Sequence, residues 1–149
     1  TLSKCYGLAA LRVGFALASK QVTDFLNRIR QPFKVNHLAM VAAVAALKDE
    51  DFIEQSRIVN KAGMNQLEQG FQSLGLDYVA SRANFILVNV QADAAQTFNA
   101  LLKEGVIVRP VGIANHLRVS IGTETENAKF LSALAKVLDL ASNAVEGKA

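Results

Sequence analysis

The sequence predicts an α/β protein in which helices come first and a strand–helix–strand–strand–helix segment follows. Between residues 20 and 74, apolar residues recur every three or four positions, which is the period of a helix. A continuous apolar run then occupies Phe85 to Val90, and apolar and polar residues alternate from His116 to Ile121. Both patterns are typical of strands. The second half is therefore expected to form a small layered domain with helices on one face of a sheet.

The chain begins with a predicted strand and a predicted helix. Residues Arg12 to Ala18 form a short, largely apolar run and predict a strand. Ser19 follows at the position of a helix N-cap, and Pro32 ends the helical pattern. We therefore expect the first helix to lie between these two residues.

Two further helices are predicted before the sheet. Asn36 is a suitable N-cap for an alanine-rich helix from His37 to Lys48, whose small residues favour close packing. The longest helical pattern runs from Asp51 to Leu74. Gly75 stands where a helix commonly ends in the left-handed conformation.

The second half contains three predicted strands. The run from Phe85 to Val90 indicates a strand that is buried on both faces. Asp93 caps a helix that ends at Gly105, and Val106 to Val108 predict the second strand. His116 to Ile121 predict the third, with one apolar and one polar face.

A capping box predicts the last helix. Thr123 and Glu126 have the spacing in which each side chain bonds the backbone of the other. The residues expected to face the core from this helix are Phe130, Leu131, Leu134 and Leu138.

Composition restricts the function classes. The 149 residues are 51% hydrophobic and 19% charged, as in an ordinary soluble globular domain. The net charge of +3 is scattered, which argues against a nucleic-acid or membrane-surface partner. No apolar run approaches the ~20 residues of a membrane span. The single cysteine, Cys5, fits a reducing compartment, so a cytoplasmic protein is expected.

Lys4 is the residue whose surroundings most suggest chemistry. It follows Ser3 in a sparsely charged stretch of small and apolar residues, where burial would favour a neutral, nucleophilic amine. Gly7 allows a tight backbone path, and the planar guanidinium of Arg12 suits a phosphate. His37 and His116 have no ligand-type residues at metal-binding spacing. A metal site is therefore not expected.

The string T-x-S-K-x-x-G-L-A-x-L-R-x-G, residues Thr1 to Gly14, resembles the signature around the cofactor lysine of fold-type I aminotransferases, which use pyridoxal 5'-phosphate. Four later segments, in the family's order, resemble the C-terminal part of histidinol-phosphate aminotransferases. These are PFKVNHLAMVAAVAAL, ANFILV, GVIVRP and HLRVSIGT. The resemblance covers nearly the whole chain.

The resemblance implies a domain organisation. Residues 1–50 would form the end of the cofactor-binding large domain and the start of the connecting helices. Residues 51–149 would form the long connecting helix and the small C-terminal αβ domain. In this family more than half of the chain precedes the lysine, so this stretch alone is expected to be incomplete and inactive. The family also implies a homodimer.

The resemblance assigns the cofactor site to the N-terminus. Lys4 would hold pyridoxal phosphate through its amine and then serve as the general base. Thr1 and Ser3 would hydrogen-bond the cofactor phosphate, and Arg12 would make a charge-assisted contact with it.

Arg109 and Arg118 resemble the two arginines that bind the anionic end of small-molecule substrates in this family. Considered without the resemblance, both would be surface arginines at strand ends. Seven residues separate Pro110 from Arg118, where relatives usually carry a longer glycine-rich loop. Convergence of the two side chains depends on this connection.

By resemblance, the full enzyme would transfer the amino group of L-histidinol phosphate to 2-oxoglutarate in histidine biosynthesis. The products would be imidazole-acetol phosphate and glutamate. One alternative is another fold-type I enzyme, either an aromatic aminotransferase or a phospho-amino-acid decarboxylase. The other is a non-catalytic binding domain that keeps the fold.

Overall fold

The computed structural model describes residues 1–146, with side chains through Asp139. The chain forms two compact units that divide after Arg57. In the stretch so described, no helix combines the length and apolar character that a membrane crossing requires.

The first unit contains the two helices that their caps predict. Helix α1 spans Lys20–Ile29, and the Ser19 hydroxyl accepts a hydrogen bond from Val22 N at 3.4 Å. Helix α2 spans His37–Lys48, and Asn36 Oδ1 accepts from Ala39 N at 2.8 Å. Each cap satisfies a backbone N–H that the first turn of a helix leaves without a partner. Both helix predictions are confirmed.

The strand prediction for residues 12–18 is wrong. Only a turn of 3-10 helix, Ala9–Leu11, precedes α1, and the following residues form no sheet pairing among the described residues. Two apolar side chains of the run are exposed, namely Phe15 and Leu17, and the exposed fraction of Leu17 is 92%. An apolar run becomes a strand only where a neighbouring strand accepts its backbone hydrogen bonds.

Apolar exposure is a general property of the first unit. Its buried hydrophobic residues are few, Leu2, Ala39 and Ala43. Large apolar side chains on both helices and their connections are open to solvent; they include Phe25, Ile29, Phe33, Leu38, Val41 and Val44.

Helix α3 spans Glu50–Ser73, as its pattern predicts, and Gly75 follows with a φ of +68°. Only its second half provides core residues, namely Gly63, Met64, Leu67 and Phe71. Two apolar residues nearer its N-terminus, Phe52 and Val59, are about half exposed.

The second unit is built on a four-stranded antiparallel sheet. Its strands are β1 (Tyr78–Val79), β2 (Phe85–Asn89), β3 (Arg109–Pro110) and β4 (His116–Ser120), in the order β1-β2-β4-β3. The remaining helices are α4 (Ala94–Lys103) and α5 (Glu124–Glu146).

One face of this sheet carries the core. The buried residues of β2 and β4 join apolar side chains of α3, α4 and α5 in one cluster; they are Ile86, Val88, Leu117 and Val119. On the other face, Leu87 and Arg118 are only partly buried and Phe85 is exposed. The prediction that β2 is buried on both faces is therefore wrong, because helices cover an antiparallel sheet here on one side only.

Two further strand details differ from the sequence prediction. Residues 106–108 are not a strand, since pairing with β4 begins only at Arg109. Strand β1 was not predicted, because two residues carry no readable alternation. The prediction for the third strand is confirmed, as is the α4 cap, in which Asp93 Oδ1 accepts from Gln96 N at 2.7 Å.

Polar contacts fix the link between β4 and α5. The predicted capping box is present, with Glu126 Oε2 accepting from Thr123 N and from Thr123 Oγ1, each at 2.8 Å. Asn127 is buried and accepts from Gly122 N at 3.0 Å. Its amide donates to Gln66 Oε1 of α3 at 3.1 Å. These bonds join the end of the sheet to both helices.

Candidate active site

A tight turn presents Lys4. The side chain of Leu2 is buried, Leu2 N donates to Val13 O at 3.1 Å, and Leu8 N donates to Leu2 O at 3.0 Å. The turn between these bonds closes when Gly7 N donates to Lys4 O at 2.9 Å. Gly7 has a φ of +67°, which glycine adopts without steric cost. The described residues thus fix the backbone of Lys4 on both sides.

The side chain of Lys4 is exposed. The expectation that its apolar neighbours desolvate the amine is wrong for the described residues. Cys5 is also exposed, and Tyr6 is only partly buried. A turn that projects its side chains outward cannot cover its own lysine.

Thr1, Ser3 and Arg12 line one cavity of about 460 Å³. Thr1 Oγ1 donates to Ser3 Oγ at 2.7 Å, and Ser3 N donates to Thr1 Oγ1 at 3.0 Å. Arg12 has a φ of 52°, which is uncommon for a residue other than glycine. Its Nη1 donates to Ala9 O at 2.7 Å, which leaves other guanidinium N–H groups free to bind a ligand.

The donor set of this cavity fits a phosphate group. Hydroxyls and a guanidinium are donors that suit phosphate oxygens. Lys34 adds a second cation to the lining. Lys34 could not be identified from the sequence, because it lies in a connection without periodicity and only the fold brings it to the same cavity as Arg12.

Arg109 and Arg118 form a pair. They are direct partners in the register of β3 and β4, so both side chains project from the same face of the sheet. It is the face opposite the core, since Leu117 and Val119 point the other way. None of the ion pairs among the described residues includes either arginine.

Arg118 has the more enclosed surroundings. Its Nε is buried and has no hydrogen-bond partner among the described residues. Its guanidinium carbon lies 5.0 Å from the centroid of the Phe85 ring. Phe85 could not be identified from the sequence, since its contact with Arg118 depends on the register of β2 against β4.

The short connection brings the two arginines together. Residues 111–115 form the tip of a hairpin between β3 and β4, with positive φ angles at Gly112 and Asn115. The Nδ1 atom of His116 lies 2.6 Å from Ala114 O across this tip. A seven-residue separation is therefore compatible with a converging pair. The lysine turn belongs to the first unit and the arginine pair to the second.

Comparison with known proteins identifies related sequences over nearly the whole chain. The family model for aminotransferase class I and II matches residues 1–134. Histidinol-phosphate aminotransferase 2 of Pseudomonas fluorescens is 59% identical over 141 residues, which are 93% of this chain and 38% of the relative. Histidinol-phosphate aminotransferase of Methylobacillus flagellatus is 54% identical over 141 residues, again 93% of this chain and 38% of the relative. The chain thus spans about 38% of the length of these relatives.

Solved structures show the same fold. The histidinol-phosphate aminotransferase of Sinorhizobium meliloti, in complex with pyridoxal-5'-phosphate, is 26% identical with a TM-score of 0.84. It matches 95% of this chain and 40% of its own. The enzyme from Clostridium acetobutylicum is 25% identical with a TM-score of 0.86, over 93% of this chain and 44% of its own. The α/β fold prediction is confirmed, and the chain belongs to the class I and II aminotransferase family.

Proposed function

We propose that this chain is part of a histidinol-phosphate aminotransferase that uses pyridoxal phosphate. The enzyme transfers the amino group of L-histidinol phosphate to 2-oxoglutarate, giving imidazole-acetol phosphate and glutamate in histidine biosynthesis. The observation that carries this proposal is the 59% identity with the Pseudomonas fluorescens histidinol-phosphate aminotransferase over 93% of the chain.

The cavity beside the lysine turn supports a cofactor role for the first unit. Thr1, Ser3 and Arg12 would hold the cofactor phosphate through hydroxyl and charge-assisted hydrogen bonds. Lys4 follows Ser3 directly in the sequence, and its exposed side chain is proposed to reach a group anchored there. When bound, pyridoxal phosphate supplies the electron sink for the reacting carbon.

Lys4 is assigned the proton transfer. Its Nζ would hold the cofactor and, once freed by the substrate, would act as the base that accepts the proton from the substrate Cα. The fixed backbone on either side of Lys4 supports this role, because a base must be held at one position relative to that carbon.

The arginine pair is assigned to the anionic end of the substrate. Two guanidinium groups on one sheet face, without described carboxylate partners, present unused donors. A planar guanidinium can form paired hydrogen bonds with either a phosphate or a carboxylate. The pair can therefore serve both the phosphorylated amino donor and the dicarboxylate acceptor.

The remaining assignments follow the family. We place residues 1–50 at the end of a cofactor-binding large domain and residues 51–149 in the connecting helix and small domain. The enzyme is proposed to be a cytoplasmic homodimer. An exposed free thiol at Cys5 is compatible with a reducing compartment, and the exposed apolar residues of the first unit are candidates for contact with other parts of the enzyme.

Absorbance spectroscopy tests the proposal. In the full-length enzyme that carries this chain, added pyridoxal phosphate should give the near-visible band of a lysine-bound cofactor. L-histidinol phosphate should shift that band, and 2-oxoglutarate should restore it. Lys4→Ala should abolish both the band and turnover, whereas Lys61→Ala, a change at an exposed lysine of α3, should abolish neither.

Other outcomes point to the alternatives. A band that responds to aromatic amino acids but not to L-histidinol phosphate would indicate an aromatic aminotransferase. Release of carbon dioxide without glutamate would indicate a decarboxylase. Absence of any lysine-dependent band would favour a non-catalytic binding domain.

A further inference from the structure

We propose that Phe85 is a positioning residue that holds the guanidinium of Arg118 for anion binding. The inference rests on the proposed function in one respect, the assignment of Arg118 to the substrate anion. Phe85 is thereby added to the candidate site. Its ring contact keeps the guanidinium of Arg118 in place.

The register of the sheet brings the two side chains together. Phe85 of β2 pairs with Ser120, and Arg118 of β4 pairs with Leu87. Phe85 and Arg118 are therefore diagonal neighbours on one sheet face, a separation that an aromatic ring and a long side chain can bridge. The guanidinium carbon lies 5.0 Å from the ring centroid, within the range of a cation–π contact.

The ring is the only described group that holds this guanidinium. Arg118 makes no ion pair with the described residues, and its buried Nε has no hydrogen-bond partner among them. A phenyl ring excludes water from one face of the guanidinium without occupying any of its N–H donors. Phe85 thus restricts the motion of the cation and leaves its donors free.

The Phe85 ring also stabilises the Arg118 cation next to the Arg109 cation. Arg109 is directly opposite Arg118, and like charges at that position repel. Arg109 is exposed and has no described ring contact, so it can turn toward solvent. Arg118 is partly buried, and the negative face of the Phe85 ring offsets part of the repulsion. Arg118 is therefore the pre-positioned member of the pair.

Steady-state kinetics of the full-length enzyme test the inference. Phe85→Leu should raise the KM for 2-oxoglutarate about tenfold, with kcat changed less than about twofold, because a weakly held guanidinium binds the anion less well. Phe85→Tyr retains the aromatic face and should keep KM within about twofold of wild type. Phe98→Leu removes a ring that packs against the core and should leave KM unchanged.

A double-mutant cycle separates positioning from general stability. In an Arg118→Gln background, Phe85→Leu should cause no further increase in KM, since the cation that the ring holds is gone. An equal increase in that background would overturn the inference, and so would a Phe85→Tyr variant as impaired as Phe85→Leu. A normal KM in Phe85→Leu together with a raised KM in Arg118→Gln would overturn the inference about Phe85 and leave the anion assignment of Arg118 intact. A normal KM in Arg118→Gln would overturn the anion assignment and the inference together.

Discussion

Arg109 and Arg118 stand directly opposite each other on adjacent antiparallel strands, and no described carboxylate pairs with either. Like charges at this position of a sheet are destabilising. An anion bound between the two guanidinium groups would remove the repulsion and use their free donors. We therefore expect the arrangement to favour anion binding at the expense of some folding stability.

Removal of one arginine should stabilise the fold. We expect Arg109→Gln to increase the free energy of unfolding by about 0.5 kcal/mol at low ionic strength, because a like-charge pair is lost. The gain should shrink as salt screens the repulsion between the exposed Arg109 and the partly buried Arg118. Thermal unfolding in low and high salt measures both effects. Arg82→Gln, a change at an exposed arginine without a described ion pair, is the matched control, and an equal gain there would contradict the explanation.

Acid should weaken the start of α5 through Glu126. Hydrogen bonds from the backbone and then the hydroxyl of Thr123 lower the pKa of Glu126 below its ordinary value of 4.5. A group with a depressed folded-state pKa contributes stability above its unfolded value and loses it as pH falls through the folded value. Stability should therefore decline below pH 4.5.

The matched variants are Glu126→Gln and Glu124→Gln, both in the first turn of α5. Urea unfolding from about pH 7 to about pH 3 compares their proton linkage with that of wild type. Glu126→Gln should flatten the acid limb of the stability curve. Glu124 makes no described side-chain hydrogen bond, so its variant should retain the wild-type slope. Identical curves for all three proteins would refute the capping-box explanation.

Gly63 should not tolerate a methyl group. A Cβ placed there would lie 2.6 Å from Ile121 Cγ2 and 2.8 Å from Asn127 Nδ2. Although alanine is the better helix former by about 1 kcal/mol, we expect Gly63→Ala to cost about 1–3 kcal/mol through overpacking. Urea unfolding gives the difference. Asn65→Ala, at an exposed position of the same helix, should be neutral or slightly stabilising, so a stable Gly63→Ala would disprove the close approach.

The exposed apolar side chains of the first unit should bind a hydrophobic dye. Where exposed apolar side chains form a contiguous surface, they mark contact sites or a tendency to aggregate. We expect the chain on its own to enhance anilinonaphthalene sulfonate fluorescence. Replacing Ile29 and Leu38 by lysine should reduce the signal, whereas lysine at the exposed polar positions Gln21 and Asn27 should not. Equal reductions from the two pairs of variants would contradict the assignment of dye binding to the apolar side chains.

Local signals predicted the helices well, because a capping side chain binds backbone only three residues away. Ser19, Asn36 and Asp93 each cap the helix that the sequence assigns to them. The strand predictions at residues 12–18 and 106–108 failed, because a strand also needs a partner that the local sequence does not specify.

The residues of the candidate site also differ in whether the local sequence could identify them. The resemblance named Lys4 and the two arginines, and the structure adds the register that makes the arginines neighbours. The Phe85 ring and the Lys34 side chain could not be predicted, since both depend on which distant segments meet. Residue roles remain predictions that the kinetic experiments test.

The hairpin tip at residues 111–115 gives the protein freedom to vary in length. Residues added between Gly112 and Asn115 would lengthen a solvent-exposed loop without shifting β3 against β4. Doubling such a loop costs only about 0.6 kcal/mol in closure entropy. One residue inserted within β4 would instead turn Arg118 toward the core and its apolar neighbours outward. The tip is thus a position where evolution, or an engineer adding a peptide tag, can extend the chain while both guanidinium groups stay in place.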